Sequence, residues 1–144
     1  MHLAIIDIDP VSSYVLAYAA QRRGHQVMCV GAADRLSTNL PFQPSVVVVA
    51  LDRVGEAGTR SVAAVRDSLP EAAIIVTSEG QVRTGLAAAL EAGASDFASS
   101  PYNPHDLVLQ AEKWDALVAR AAEYEGALQV GDLAVDLNRY TAIK

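Results

Sequence analysis

The sequence predicts a doubly wound α/β domain in which five parallel strands alternate with five helices, a (βα)5 order. Short apolar runs alternate with segments of helical periodicity over residues 1–124 of the 144-residue chain. The run Val46–Val49 consists of four valines with no polar residue between them. Such a run is typical of a central strand in a parallel sheet, where both faces are buried. The hydrophobic fraction, 51%, is high enough for a core of that kind.

The first strand–helix unit lies at the N-terminus. Leu3–Ile6 is an apolar run that ends at an aspartate, and Asp9-Pro10 predicts the start of a helix. The carboxylate would cap this helix and the proline would occupy its first turn. The helix is predicted to end at Gly24. Its apolar residues at helical spacing are Val11, Tyr14, Val15 and Tyr18.

The next two strands are predicted at Gln26–Val30 and Ser45–Leu51. The single cysteine, Cys29, lies within the first of them, and we expect it to be a small buried residue. A short helix is predicted between the strands over residues 32–40.

Two more strands and three more helices complete the pattern. Strands are predicted at Ala73–Thr77 and Asp96–Ser99, and a final helix begins at Pro104. The helix before Ala73 is marked by Val62, Val65 and Leu69, and the helix after Thr77 by Val82, Leu86 and Leu90. The last helix carries the apolar stripe Leu107, Ala111, Trp114, Val118 and Ala121.

Beyond Tyr124 the pattern changes to alternation. Leu128–Leu137 alternates apolar and polar residues around Gly131-Asp132, which predicts a short β-hairpin. We therefore expect a first domain over residues 1–124, and over residues 125–144 a linker and the first strands of a second domain cut short.

The charge distribution argues against direct nucleic-acid binding by this stretch. The formal net charge is −6, and the only lysines are Lys113 and Lys144. Phosphate contacts require clustered Lys and Arg, and no such cluster is present. Neither a secretory signal nor a membrane-length apolar run is recognisable, so we expect a cytoplasmic protein with no membrane partner.

The candidate site lies where parallel strands end. Binding sites in doubly wound sheets form beyond the carboxyl ends of the strands. Those ends are predicted to carry Asp7, Asp9, Asp52, Thr77 and Ser100.

Four segments resemble the receiver domain of response regulators, a CheY-like and flavodoxin-like fold. In order, they are Ile5–Pro10, Pro44–Leu51, Ala89–Phe97 and Ser100–Leu107. The last two are the most specific, since they are similar to the family's turn into the fifth strand and to its Lys-Pro segment. The 128–137 hairpin resembles the start of the winged-helix DNA-binding domain of the OmpR/PhoB subfamily. The resemblance also implies a cis peptide bond before Pro101.

The chain departs from the family pattern at the positions that take part in phosphotransfer. That reaction needs a carboxylate nucleophile, a carboxylate-bound Mg²⁺ and a lysine. By resemblance, the phosphoacceptor position is Ala50, the main metal-binding position is Ile8 and the lysine position is Ser100. We therefore predict a degenerate pocket without cofactor or metal.

The remaining pocket residues have simpler explanations. Thr77 and Phe97 occupy the family's hydroxyl and aromatic switch positions, and we expect both to be retained for packing. Asp9 is expected to cap the helix, and Asp7 to be held by hydrogen bonds. Asp52 follows Ala50 by one strand period, so a displaced phosphoacceptor at Asp52 is an alternative.

The resulting functional hypothesis is a regulatory receiver domain of an OmpR-type transcription factor, controlled by dimerisation or by a small-molecule ligand, with DNA bound by a later domain. The alternatives are a conventional phospho-receiver that uses Asp52 and a stand-alone adaptor for a protein partner. An enzyme is not expected, because no nucleophile–base pair or cofactor motif is visible.

A homodimer is expected through the face formed by the last two helices and the strand between them. Gln110 and Glu112 replace basic residues that are common there in the subfamily, so other residues must make the contact. The candidates are Arg83, Leu86, Leu90, Glu91, Asp96, Lys113, Trp114, Leu117 and Arg120.

Overall fold

The predicted fold class is confirmed by the computed structural model, which describes residues 1–7, 9–31, 40–51, 57–79 and 83–128. Five parallel strands form one sheet in the order β2-β1-β3-β4-β5. The strands are β1 (His2–Ile6), β2 (Gln26–Val30), β3 (Val46–Ala50), β4 (Ala73–Glu79) and β5 (Asp96–Ser100). The described helices are α1 (Pro10–Gln21), α2 (Ala57–Ser68), α3 (Arg83–Ala92) and α4 (Pro104–Leu128). The helix predicted over 32–40 lies almost wholly outside the described residues.

The sheet separates two layers of core. On one face, Val47 and Val49 pack with residues of α2 and with Ala89 of α3. On the other face, Val46 and Val48 pack with residues of α1 and α4. Every residue of β3 is buried, as the valine run predicts. β3 is therefore the centre of both core layers.

Helix α1 begins as predicted, but its apolar stripe faces outward. The buried residues of the helix are Ser13, Leu16 and Ala20, which allow it to approach the sheet closely. The predicted stripe is exposed and consists of Val11, Tyr14, Val15 and Tyr18. The prediction of the helix was correct, and the structure shows that its apolar spacing does not mark its buried face.

Two predictions of burial fail because the residues lie on edge strands. Cys29 is exposed on β2, where its thiol lies 3.9 Å from the Ser13 carbonyl oxygen. Phe97 is 47% exposed on β5. Each edge strand has a neighbour on one side only, so its side chains are less completely covered than those of β3.

Helix α4 is longer than the predicted domain boundary at Tyr124. It contains 25 residues and ends at Leu128, which was predicted to begin the hairpin. The remaining hairpin residues, 129–137, and residues 138–144 lie outside the described part of the chain. No helix within the described residues is both long and apolar enough to cross a membrane.

Arg66 joins two connections, α2–β4 and α3–β5, at the amino end of β4. Its guanidinium donates hydrogen bonds to the carbonyl oxygens of Ala72 at 2.7 Å and of Gly93 at 2.7 and 3.2 Å. It also donates to the Pro70 carbonyl oxygen at 2.9 Å and to Leu69 at 3.4 Å. Gly93 has φ +123°, and a Cβ there would lie 2.9 Å from Cγ of Arg66. Glycine therefore satisfies both the backbone conformation and the close approach of the arginine.

Replacing Arg66 should destabilise the domain without changing its fold. Arg66→Met retains much of the aliphatic stem but leaves several carbonyl groups without their charged donor. We expect the free energy of unfolding to fall by about 2 kcal/mol, measured by urea denaturation. Arg60→Met, at an exposed position of the same helix, is the matched control and should change stability little. Equal effects of the two substitutions would contradict a specific role for the Arg66 hydrogen bonds.

Candidate functional site

The carboxyl ends of the central strands bring the predicted pocket residues together. Ala50 is in register with Thr77, and Thr77 is in register with Ala98. Paired residues of adjacent strands point to the same face of a sheet. This face is the one that packs on α1 and α4, since Ala98 packs against that core layer. The row across the sheet therefore consists of Ala50, Thr77 and Ala98, with an alanine methyl group on each side of the threonine.

The row offers little polar chemistry. Ala50 and Thr77 are each 6% exposed, so both are buried. Among their three side chains, the Thr77 hydroxyl is the only group that can accept or donate a hydrogen bond. The burial of Thr77 agrees with the expected packing role.

Asp7 lies just beyond the end of β1 and is half-buried. One of its carboxylate oxygens, Oδ1, accepts a hydrogen bond from the Asp9 amide at 2.9 Å. The Asp7 amide donates to the Val30 carbonyl oxygen at 3.2 Å. Asp7 thus holds the turn that connects β1 to α1, in agreement with the hydrogen-bonded role predicted for it.

Asp9 caps α1, as the sequence predicts. Its backbone is extended, with φ −84° and ψ 110°, and its Oδ1 accepts from the Val11 amide at 3.0 Å. Its Oδ2 accepts from the Ser12 hydroxyl at 3.0 Å. A carboxylate at this position satisfies an amide that has no partner within the helix.

Ser100 ends β5 beside the same row. It is half-buried, and its register partner is Glu79 at the end of β4. The Ser100–Pro101 peptide bond is cis, which confirms the prediction for this pair. A hydroxymethyl group therefore occupies the position at which the resemblance implies a lysine.

The described residues do not fit a Mg²⁺ ion of the kind the fold family implies. Mg²⁺ takes oxygen ligands, commonly from carboxylates. Ala50 contributes no ligand, and both Asp7 and Asp9 hold backbone amides. No group of three or more His, Cys, Asp or Glu side chains within the described ranges is arranged to hold a metal. Ile8 and Asp52, which belong to the predicted pocket, lie outside the described residues.

The predicted dimer face combines exposed apolar residues with an internal polar contact. Leu90 is 46% exposed and Leu117 is 40% exposed, while Glu91, Lys113 and Arg120 are exposed as well. The side chains of Arg83 and Leu86 lie outside the description. The face therefore retains apolar surface on both helices.

Asp96 and Trp114 bind each other on this face instead of standing free. The Trp114 indole N–H donates to Asp96 Oδ2 at 2.8 Å, and Gln110 Nε2 donates to the same oxygen at 2.8 Å. Burial opposes ionisation of Asp96, but the hydrogen bonds from Trp114, Gln110 and the Phe97 amide lower its pKa overall. The pair fixes α4 against β5, so these two residues shape the face from within.

A second polar cluster was not predicted from the sequence. Glu112 of α4 accepts from Arg23 Nε at 2.6 Å and from Arg23 Nη2 at 2.8 Å, and it lies 2.6 Å from His25 Nε2. Hydrogen bonding from Arg23 is the main reason why the pKa of Glu112 falls to about 2. The partners are separated by almost the whole domain in sequence, so no local pattern indicates the contact. Glu112 therefore binds the connection between α1 and β2.

Comparison with known proteins finds similarity in structure alone. No family model matches the sequence, and no curated protein matches it. A receiver domain protein from Methanospirillum hungatei JF-1 has a TM-score of 0.75 at 15% identity, and the match covers 83% of this chain and 97% of that one. NtrX from Brucella abortus has a TM-score of 0.78 at 19% identity, and the match covers 88% of this chain and 29% of that one.

A third similar structure carries a phosphorylated aspartic acid. It is a response regulator from Burkholderia pseudomallei with a phosphorylated aspartic acid, a calcium ion and citrate. The TM-score is 0.68 at 22% identity, and the match covers 85% of this chain and 72% of that one. The chain thus has the CheY-like fold of response-regulator receiver domains.

The capping role of Asp9 predicts how substitutions there affect stability. Asp9→Ala removes the acceptor for the Val11 amide, and the free energy of unfolding should fall by about 1 kcal/mol. Asp9→Ser retains a capping oxygen without the charge and should keep most of the stability. Urea denaturation of the three proteins, with and without Mg²⁺, measures the effect. If serine were as harmful as alanine, or if Mg²⁺ stabilised only the Asp9 protein, a charge or metal role would replace the cap.

Proposed function

We propose that this chain is a regulatory receiver module that acts without aspartyl phosphorylation, at the head of an OmpR-type DNA-binding transcriptional regulator. The single observation that carries the proposal is Ala50, which ends the central strand where the resemblance places the phosphoacceptor. It is buried beside Thr77 in the row across the sheet. A methyl group at this position cannot attack a phosphoryl group.

The rest of the pocket supports the same proposal. Phosphoryl transfer depends on cations that neutralise the phosphoryl oxygens, supplied in this family by Mg²⁺ and a lysine. Ser100 supplies no positive charge, and the carboxylates of Asp7 and Asp9 hold the β1–α1 turn. Loss of the nucleophile together with its cations leaves the buried charge roughly balanced, whereas loss of one partner alone would leave an uncompensated charge. The substitutions are therefore physically consistent with one another.

Without a phosphoryl switch, regulation has to come from assembly or from a ligand. Leu90 and Leu117 provide exposed apolar surface on the predicted dimer face, and the Trp114–Asp96 hydrogen bond keeps that face rigid. Exposed ion pairs contribute little, so apolar contact must carry a stable dimer. A ligand is the second route, since Ala50 and Ser100 are small uncharged residues where the resemblance implies an aspartate and a lysine.

DNA contact would belong to a domain that follows this one. The sequence is acidic, with a formal net charge of −6, which disfavours contact with phosphates, and residues 129–144 follow helix α4 in the chain. A stand-alone adaptor that binds a protein partner is the second candidate, and it would use the same exposed faces without a DNA-binding domain. Neither reading assigns the chain an enzymatic activity.

Exposure to a phosphodonor tests the proposal. Incubation of the chain with acetyl phosphate and Mg²⁺, followed by intact-mass measurement, should leave the mass unchanged because no nucleophile is in place. A mass increase by one phosphoryl group would contradict the proposal. Peptide mapping that placed the group on Asp52 would establish the alternative, a receiver with a displaced phosphoacceptor.

A variant with the family pattern restored provides the control. Three substitutions are combined in one variant. Ala50→Asp restores the nucleophile, Ile8→Asp the metal ligand and Ser100→Lys the lysine. This triple variant should take up one phosphoryl group under the same conditions, and urea denaturation would verify that it is folded. Modification of the variant but not of the natural chain would assign the loss of reactivity to these three positions.

A further inference from the structure

Helix α1 presents a stripe of large apolar side chains to solvent. Val11 is 69% exposed, Tyr14 70%, Val15 44% and Tyr18 51%. These four residues, here called the α1 stripe, follow helical spacing and therefore form one continuous face. The helix already buries its opposite face against the sheet, so the stripe contributes nothing to the core. Contiguous exposed apolar surface of this kind marks an interaction site.

The stripe is ordered by contacts within the helix. The rings of Tyr14 and Tyr18 stack with their centroids 6.3 Å apart, and the guanidinium of Arg22 lies 5.8 Å from the centre of the Tyr18 ring. Arg22 also donates a hydrogen bond to the Tyr18 hydroxyl at 3.4 Å. Aromatic side chains that are already positioned lose little freedom when a partner covers them.

A groove runs beside the stripe, between α1 and strand β2. Tyr14 forms one wall, Ala17 and Val30 form an apolar lining, and Asp7 lies at one end. The stripe and the groove together can receive a helix that lies along α1.

We propose that α1 pairs with α1 of a second copy of this chain, in antiparallel orientation about a twofold axis between Tyr14 and Val15. The four sequence positions of the α1 stripe are symmetric about that point. Val11 would face Tyr18 of the second copy, and Tyr14 would face its Val15. A twofold interface requires a surface that is complementary to itself, and this arrangement pairs a small residue with a large one at each position.

The charges at the two ends of α1 favour the antiparallel orientation. Asp7 and Asp9 lie at the amino end of the helix, and Arg22 follows its carboxyl end. Antiparallel pairing brings the acidic end of each copy to the basic end of the other. It also aligns the two helix dipoles favourably. Parallel pairing would place like charges side by side.

The size of the stripe predicts a weak dimer. The exposed parts of the four side chains amount to roughly 400 Å² per copy, given what aromatic and aliphatic residues can bury. Stable interfaces bury about 800 Å² per partner. Association through α1 should therefore be weak and reversible. This surface consists of other residues than the dimer face of α3, β5 and α4. The groove beside it reaches β2, and β2 and β5 form opposite edges of the sheet.

Disulfide trapping on the full chain tests the orientation. In a Cys29→Ser background, Val11→Cys and Tyr18→Cys proteins are oxidised separately and as an equimolar mixture. The mixture should form a cross-linked heterodimer, while neither protein alone should cross-link efficiently. Residues 11 and 18 are seven positions apart, about 10 Å along a helix, so like positions would be too distant for a disulfide. Cross-linking of the separate proteins at equal yield, or no cross-linking at all, would overturn the proposal.

Sedimentation equilibrium separates the two faces of the domain. Tyr14→Arg introduces charge at the centre of the stripe and should weaken association by about tenfold or more. Leu117→Arg, on the other face, should leave association through α1 unchanged. Association that is lost only with Leu117→Arg would overturn the α1 proposal while supporting the dimer of the proposed function. A chain that stays monomeric at millimolar concentration would also overturn the α1 proposal. This outcome includes the case in which residues 129–144 of the same molecule cover the stripe.

Discussion

The central strand β3 is enclosed by neighbours on all sides, and this enclosure constrains the site. It pairs with β1 and β4 in the sheet, and helices cover both of its faces. Every side chain from Val46 to Ala50 is buried in consequence. A carboxylate at the end of such a strand must be balanced by cations, because burial of an unpaired charge is strongly unfavourable. An alanine at position 50 removes that requirement, and the pocket around it then needs neither metal nor lysine.

The two acidic pocket residues that the structure describes show what becomes of a pocket under this constraint. Asp7 and Asp9 accept hydrogen bonds from the backbone amides at the start of α1, so their carboxylates serve the β1–α1 turn. The row Ala50, Thr77, Ala98 and the cis peptide at Pro101 preserve the shape of a receiver site. Under the proposed function, a module controlled by assembly or by a ligand would retain this shape without the charged groups. The Asp96–Trp114 hydrogen bond holds α4 against β5.

Much of this architecture could be predicted from the sequence, since it depends on local patterns. The valine run identified the central strand, Asp9-Pro10 identified the start of α1, and the resemblance around Pro101 predicted its cis bond. The direction of the α1 stripe was left open for a physical reason. Helical periodicity gives the spacing of a stripe but not its direction: the tyrosines of α1 face solvent, whereas Ser13, Leu16 and Ala20 face the sheet.

Edge effects and long-range contacts account for the remaining differences. Apolar residues on β2 and β5 read as core residues from the sequence, yet an edge strand leaves Cys29 and Phe97 exposed. The Glu112 cluster joins residues far apart in the chain, for which one sequence carries no signal. Helix α4 continues past Tyr124 to Leu128, where alternation alone had indicated a strand.

The most direct test of the central claim is whether the pocket senses a phosphoryl mimic at all. Beryllium fluoride with Mg²⁺ binds non-covalently to receiver sites that hold an aspartate and a metal, and amide chemical shifts report such binding residue by residue. For this chain, the amide resonances of Ala50, Thr77, Ala98 and Ser100 should not move as the reagent is added. Saturable shifts of these resonances would contradict the account, since they would show that the pocket still binds the phosphoryl mimic.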